Sequence, residues 1–525
     1  MRKRLLSILL GVSMVAALLT GCKGKDTETG KADSGNTDTK AETEAAQEQE
    51  DIVTLKWFMS LNSVEPDTAK VIEELNKYTR DKIGVEIEYT SMANSDYQEK
   101  MPTYINSGEN FDICFTASWT TDYLQFADRD AFMDLTDLLP QYAKETYDFI
   151  PENVWNAVKV NDKIYAVPTY KELGWQGGIY VNSDMAKEYG IDLTKVKSFQ
   201  DYTEVLKVVA EKSQAAGKDV IGLSGLNASG TSAFALSQPY ESLTGTPTLP
   251  GASAASDYGN FQGQEEVFNQ YATQEYMDYA KLVYEWNKSG YLPGDPVNYD
   301  ADAAKRDSDF TNGNLFSYMI SYAPGAKEAD AVKYGHGVEF IPLMNPLFET
   351  RSTLGGLLAI SSGSEHPDKA LEFINLLNTD EYVGTLIRHG IEGVNYTAVG
   401  DSQIDQTMGG TLTSEQNGYD YVFGWQFGTP FNQKWDISYP ENIEQLFLDY
   451  NKSAVTAPHA GFTFNTEAVN TEIAALTNVV AEYTPAIETG MVNPEEKIPE
   501  FLEALKANGS DTLLKEIQTQ LDAWK

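Results

Sequence analysis

Cysteine and histidine are scarce in this chain, two of the one and four of the other in 525 residues. Two cysteines allow at most one disulfide, so no framework of bridges holds the fold. The histidines (His336, His366, His389 and His459) are scattered without metal-ligand spacing. The sequence contains no G-x-S-x-G elbow, H-E-x-x-H helix or P-loop. Serine-hydrolase, zinc-protease and nucleotide-phosphate chemistry therefore have no footing, and no catalytic residue, cofactor or metal ligand is assigned. Positive charge is also short: 39 Lys and Arg stand against 78 Asp and Glu, a net charge of -39. Such a surface repels phosphates, which disfavours nucleic acid and anionic lipid as partners and leaves neutral or cationic solutes open. With so many acids, carboxylate pairs arise by chance and carry no glycosidase signal. "DADAAKRDSD" (300–309) alternates acids like a calcium loop but lacks the central glycine and contains Lys305 and Arg306, so it reads as a solvated turn. No period of 20–50 residues recurs, against a solenoid or propeller.

What is present begins at the amino end. Arg2, Lys3 and Arg4 precede an apolar stretch from Leu5 to Leu19, the basic and hydrophobic regions of a secretory signal. The stretch falls short of the about 20 apolar residues a membrane span needs. Leu19-Thr20-Gly21-Cys22 resembles the bacterial lipobox, in which the thiol receives a diacylglyceryl group. Two acyl chains at about 0.8 kcal/mol per buried CH₂ hold a protein at a membrane surface, which makes Cys22 the expected lipid attachment and the only contact with the membrane. Removing residues 1–21 deletes three positive charges and no negative ones, leaving -42. From Lys23 to Asp51 there is no large apolar or aromatic side chain to offset ordering entropy, so this stretch reads as a flexible tether. Cys114, inside the strand-like "FDICFT", is then a small core residue without a disulfide partner.

About 475 residues follow the tether, too many for one core, and two lobes are expected. "VTLKWFM" (53–59), "VEIEY" (85–89) and "FDICFT" (111–116) read as strands. Between them lie a helix capped by Asp67, with Val71, Ile72, Leu75 and Tyr78 on one face and Gly84 at its end, and a second helix over 97–105. The order βαβαβ implies a parallel sheet, with ligands gathered at the carboxyl ends of its strands. Pro168, with Gly174, Gly177 and Gly178 after it, marks a crossing between lobes. Residues 201–214 and 274–287 have helical patterns, and 353–383 read as a glycine-opened strand, a serine-rich turn and a helix with Pro367 in its first turn. Helices dominate the end (467–483, 499–506, 512–524), the last carrying Leu513, Leu514, Ile517, Leu521 and Trp524 on one face.

Three stretches, "FDICFTASW", "KIYAVPTYKELGWQGGIYVN" and "GGLLAISSGSEHPDKALEFINLL", in this order and behind a lipobox, resemble the extracellular solute-binding proteins of ABC importers, family 1. From about Gly390 the chain is similar to the C-terminal segment of LipO-like lipoproteins within that family, a domain of unknown function. The resemblance implies an α/β, two-lobed periplasmic-binding-protein-like (type II) fold with parallel-type mixed sheets, a hinge, an interlobe cleft and a helical C-terminal segment. The expected layout is lobe 1 over 52–167 with 336–390 returning to it, and lobe 2 over 168–335 with 391–525 returning to it. It also implies a monomer that takes a small or oligomeric solute, in the better-known members a sugar, and hands it to ABC transporter permease subunits.

A sugar has apolar faces and polar edges, so its site wants flat rings with hydrogen-bonding groups around them. The candidates are Ser118, Trp119 and Asp122 after the third strand, Tyr170, Glu172 and Trp175 past the crossing strand, and Tyr322 after "FSYMIS". Glu392, Asn395 and Trp425 join them from glycine-flanked loops, where packing is the competing use. Two rivals stay open. A peptide or other nitrogenous solute would use carboxylates such as Glu172 or Glu392, and a secreted glycoside-acting enzyme would release product.

Overall fold

A computed structural model describes residues 52–61, 64–108, 111–228, 231–238, 240–253, 264–419 and 424–524. The secretory signal, Cys22 and the tether lie outside the described residues. The chain opens with β1 (Val53–Leu61), α1 (Thr68–Ile83), β2 (Val85–Ala93), α2 (Asn94–Ser107) and β3 (Ile113–Thr116). α1 forms because Val71, Ile72, Leu75 and Thr79 return to one face and are buried, while Gly84 takes the left-handed conformation (φ 67°) that ends it. Each such fully buried aliphatic side chain contributes about 1.5–3 kcal/mol. Asp67 makes no side-chain cap; its carboxylate turns to Lys70 Nζ at 2.6 Å and accepts from Asn395 Nδ2 at 3.1 Å.

β1 pairs in parallel with β2 from Val53↔Val85 to Leu61↔Ala93, and with β3 on its other edge. Next come β4 (Ala166–Pro168), β5 (Gly177–Asn182), β6 (Ser317–Ser321), β7 (Val338–Pro342), β8 (Leu347–Phe348), β9 (Leu357–Ile360) and β10 (Val455–Thr456). The first sheet has the order β2-β1-β3-β9-β4, with β9 antiparallel to both neighbours. β4 lies at its edge, where Pro168 lacks an N–H the ladder would otherwise need. The second sheet, β6-β5-β7, is antiparallel throughout, whereas β1 to β3 pair in parallel as their βαβαβ order implies.

Two large cores result. The first is built on Trp57, Phe115, Leu358 and Phe373, and the second on Ile179, Trp286, Phe316 and Phe501. Two expected boundaries shift. β7 pairs in the second sheet although 336–390 were assigned to the first lobe, and Tyr419 and Phe427 pack in the first core although 391–525 were assigned to the second. The last helix (Ser510–Trp524) buries Leu513, Ile517 and Leu521 in the second core. Trp524, expected on that face, is 47 % exposed with its ring 5.9 Å from Phe462. Residues 300–309 are a corner between two helices (Pro296–Asp300 and Ala303–Thr311), with Asp302 capping the second, where the sequence suggested a turn.

The chain passes between the cores three times, and the three passages hydrogen-bond to one another. Trp175 N–H donates to Leu347 O (3.0 Å) and Leu347 N–H to Trp175 O (2.9 Å). β8 then pairs in parallel with β10, Val455 N–H donating to Pro346 O at 2.8 Å and Ala457 N–H to Phe348 O at 2.7 Å. A Cβ at Gly174 would stand 2.8 Å from Pro346 Cβ and 3.1 Å from Ala454 Cβ, so this close approach requires glycine.

Candidate functional site

The carboxyl ends of β1 and β3 carry the first wall. Ser60, buried at the end of β1, donates from Oγ to Asn94 Oδ1 at 2.7 Å. Past β3 the Ser118 N–H donates to Leu354 O at 2.7 Å, which turns the chain outward. Trp119 follows, 42 % exposed, yet held by its indole N–H to Gly355 O at 2.8 Å. Its ring lies 5.7 Å from Phe115, and Phe115 lies 6.2 Å from Trp425. Gly356 makes room for the second indole: a Cβ there would stand 2.8 Å from Trp425 Cζ3. Lys171 Nζ sits 5.2 Å over the Trp425 ring and forms an ion pair with Glu172. Two indoles and a paired charge thus share one wall, as a solute with apolar faces and hydroxyl edges requires.

The hinge continues this wall. Trp175 carries the Arg351 guanidinium 4.8 Å above its ring, and Arg351 is paired with the buried Glu349, which also accepts from Ser242 N–H at 3.0 Å. The Trp175 indole N–H is itself buried and has no acceptor among the described residues. Tyr450 O–H donates to Gly174 O (2.9 Å) and its ring stands 6.0 Å from Tyr322. Tyr322 is stacked on Phe340 at 4.5 Å, against the second sheet. Burial raises the Tyr322 pKa, which keeps the phenol a neutral donor. Trp119, Trp425, Glu172, Trp175 and Tyr322 therefore fall on one run of contacts from the first core through the hinge to the second.

The other candidates go elsewhere. Asp122 caps the helix Tyr123–Asp128, accepting from Leu124 and Gln125 N–H (3.1 and 3.3 Å). Water reaches it, yet the protein crowded around it raises its carboxyl pKa. Tyr170 is 7 % exposed in a cluster with Phe149 and Phe431 (5.3 and 5.4 Å), and its carbonyl accepts from Thr429 Oγ1 at 2.7 Å. Asn395 is wholly buried and ties a loop together, accepting from Ile391 N–H (3.0 Å) and donating to Asn417 O (2.9 Å). Glu392 is exposed and lines a separate cavity with Glu381 and Tyr396. Sequence reasoning passed over Lys171, Glu349, Arg351, Phe340 and Tyr450. The glycine pair Gly355-Gly356 was the available signal for an indole lying over backbone.

Comparison with known proteins agrees with this architecture. The profile of bacterial extracellular solute-binding proteins matches residues 30–384, and that of a domain of unknown function (DUF3502) matches residues 458–525. A carbohydrate ABC transporter substrate-binding protein of Streptococcus pneumoniae is 27 % identical over 461 residues, 86 % of this chain and 87 % of that one. A multiple sugar-binding protein of Streptococcus mutans is 24 % identical over 167 residues, 32 % of this chain and 35 % of that one. Among solved structures, the N-glycan transport solute binding protein of Streptococcus pneumoniae superposes with a TM-score of 0.77 at 23 % identity, over 90 % of this chain and 98 % of that one. The same protein in complex with Man1GlcNAc gives a TM-score of 0.71 at 23 % identity, over 90 % and 99 %. With its profile spanning both cores and their first two crossings, the chain belongs to the family of bacterial extracellular solute-binding proteins.

Proposed function

We propose that this protein captures an oligosaccharide between its two lobes and delivers it to the permease of an ABC importer, held at the outer face of the membrane by lipid on Cys22. The observation that carries the reading is the series of rings on both sides of the hinge: Trp119 and Trp425 on the first lobe, Trp175 at the crossing and Tyr322 on the second. Rings on both lobes grip a solute only when the lobes approach, so the ligand binds the closed state better and shifts the population toward it. Bending falls on the three crossing segments, which are short and joined by few hydrogen bonds. The closed shape is what a permease reads, and the solute leaves unchanged. The relatives named above, one a carbohydrate ABC transporter substrate-binding protein and one an N-glycan transport protein, support the choice of solute class and partner. The protein acts as a monomer. The rival cationic solute is less favoured, because Glu172 is already paired with Lys171.

A thermal-shift screen against mannose- and N-acetylglucosamine-containing oligosaccharides, other sugars, amino acids and peptides tests the reading. A ligand at 100 times its Kd stabilises by about 2.7 kcal/mol. Oligosaccharides should shift the melting curve, and chromatography after prolonged incubation should return them intact. A shift by peptides alone overturns the solute class, and product release overturns the binding role. Mass spectrometry of membrane-extracted protein should show a diacylated Cys22 at the amino end; an unmodified thiol there overturns the anchor.

A further inference from the structure

One short segment, 349–355, serves two rings of the candidate site. It contains the helical turn Thr350–Thr353 and joins the second crossing to β9 of the first sheet. Its start is fixed to the second lobe: Glu349 Oε2 accepts from Ser242 N–H at 3.0 Å, and Thr350 Oγ1 from Gly461 N–H at 2.9 Å. Its end is fixed to the first, where Leu354 O accepts from Ser118 N–H at 2.7 Å and Gly355 O from the Trp119 indole at 2.8 Å. Arg351 projects from this segment with its guanidinium 4.8 Å above the Trp175 ring, and its Nε donates to Glu349 Oε1. Nη1 and Nη2 donate to no acceptor among the described residues, although the side chain is only 24 % exposed. The buried Trp175 indole N–H beside it lacks an acceptor as well. Glu349 can supply neither, because both its oxygens are engaged, one by Arg351 and the other by Ser242. Donors therefore outnumber acceptors at this corner of the site. A guanidinium steadied by a ring and a carboxylate keeps a flat edge of N–H groups, spaced to meet two neighbouring oxygens at once.

We infer that Arg351 determines which sugars are accepted, donating from Nη1 and Nη2 to two adjacent hydroxyls on one ring of the solute. The inference rests on the oligosaccharide reading above and adds the feature of the sugar that is read. Trp119 meets an apolar face, which many sugars share; Arg351 meets a hydroxyl pair, whose spacing and position differ from sugar to sugar. Hydroxyls are favoured over a carboxylate because Glu349 already balances the cation, and a further anion would be surplus charge in a chain of net charge -39. A sugar without the pair leaves the N–H groups of a partly buried cation unpaired, and a site built to bond a hydroxyl rejects the analogue that lacks it.

The test is calorimetry on the whole protein with a mannosyl-N-acetylglucosamine disaccharide and its 3-deoxymannosyl analogue, which has no adjacent pair of free hydroxyls. The wild type should bind the first about tenfold more tightly. Arg351→Met should bind the two alike, at about the level the wild type shows for the analogue. Arg351→Lys keeps the charge without the fork and should not restore the difference. Trp119→Ala should weaken both sugars by a similar factor and keep the difference between them. Arg351→Met leaves Glu349 buried without its cation, so the same variant carrying Glu349→Gln serves beside it, with near-UV circular dichroism to check its fold. Equal binding of the two sugars by the wild type, or a difference that survives in the Arg351 variants, overturns this inference and leaves oligosaccharide capture standing. A disaccharide of glucuronic acid and N-acetylglucosamine that binds more tightly than the neutral one, and loses that advantage in Arg351→Met, overturns the hydroxyl pair in favour of a carboxylate. No binding of the mannosyl disaccharide overturns the inference too, and the wider sugar screen then decides whether the oligosaccharide reading falls with it.

Discussion

Glu488 ends the helix Asn470–Glu488 in the interior of the second lobe, 1 % exposed, and forms no ion pair among the described residues. Asn227 Nδ2 donates to Oε2 at 2.9 Å and Tyr276 O–H to Oε1 at 3.5 Å, too little to replace the water a carboxylate loses. Burial therefore pushes its pKa from 4.5 up to about 7. Between those values the unfolded chain has released this proton while the folded chain keeps it, so unfolding is favoured as pH rises. The interval of about 2.5 pH units at 1.36 kcal/mol each amounts to about 3 kcal/mol of stability lost between pH 4 and pH 8. Glu488→Gln keeps an acceptor and has no proton to lose. Urea unfolding followed by near-UV circular dichroism should find it close to wild type at pH 4 and about 3 kcal/mol more stable at pH 8. His459 adds a slope of the same sign. Glu241 Oε2, 2.9 Å from Nδ1, raises its pKa, so its stabilisation is present below the unfolded value near 6.5 and lost as pH climbs through the folded one. It is common to both proteins and cancels in the difference. A stability difference that does not change with pH, or a variant weaker than wild type at pH 8, refutes the reasoning, because it means that the folded protein holds Glu488 as a stabilised anion.

Trp119→Ala removes a largely exposed ring that meets the first core only at Phe115, and should weaken solute binding about tenfold with a small change in Tm, measured by calorimetry; an unchanged Kd removes this residue from the site. Gly174→Ala presses a methyl onto Pro346 and Ala454 where the chain crosses between cores, and should cost about 1–3 kcal/mol in thermal unfolding. An unaltered melting curve would mean that the crossing segments yield more readily than their packing indicates. Arg388→Met withdraws the donors from four carbonyls, at a cost of about 3 kcal/mol or more, and should also lower solute affinity by releasing the loop that carries Trp425. Lost stability with full affinity would separate that loop from the site.

Much of the first sheet was legible because its signals are local. Strands β1 to β3 are short apolar runs bounded by turn residues, and the face of α1 repeats at helical spacing, so period and punctuation locate them without tertiary information. The last helix was legible for the same reason, up to Trp524 in its final turn, which stays half exposed and meets the second core only at its edge, beside Phe462. The caps were less legible. An aspartate before a helix is a good acceptor for its first N–H groups, and Asp122 serves so; Asp67 has the same local pattern but finds Lys70 and Asn395, the latter 328 residues away. A partner at that distance leaves no trace in a local window.

The candidate site divides along the same line. Trp119 could be placed because the carboxyl end of a parallel strand is a local address with a known use. Trp425 could be named but not located, since its position depends on Arg388, wholly embedded, whose guanidinium donates to Gly384 O (2.9 Å), Gly424 O (3.0 Å), Phe427 O (3.2 Å) and Thr429 O (2.7 Å). Among the described residues no carboxylate answers that charge; four backbone dipoles do. The guanidinium fork thus converts an irregular loop into a rigid shelf beside Phe115, and Gly356 leaves the space in which the indole lies. Lys171 then has a ring to rest on, and Glu172 an ion partner. Each step depends on the one before it, and only the glycines are visible as a pattern. Tyr170 and Asn395 show the converse: next to a crossing, or between glycines, a residue is as easily required to hold the shelf as to stand on it, and both engage their polar atoms or their rings with neighbouring chain.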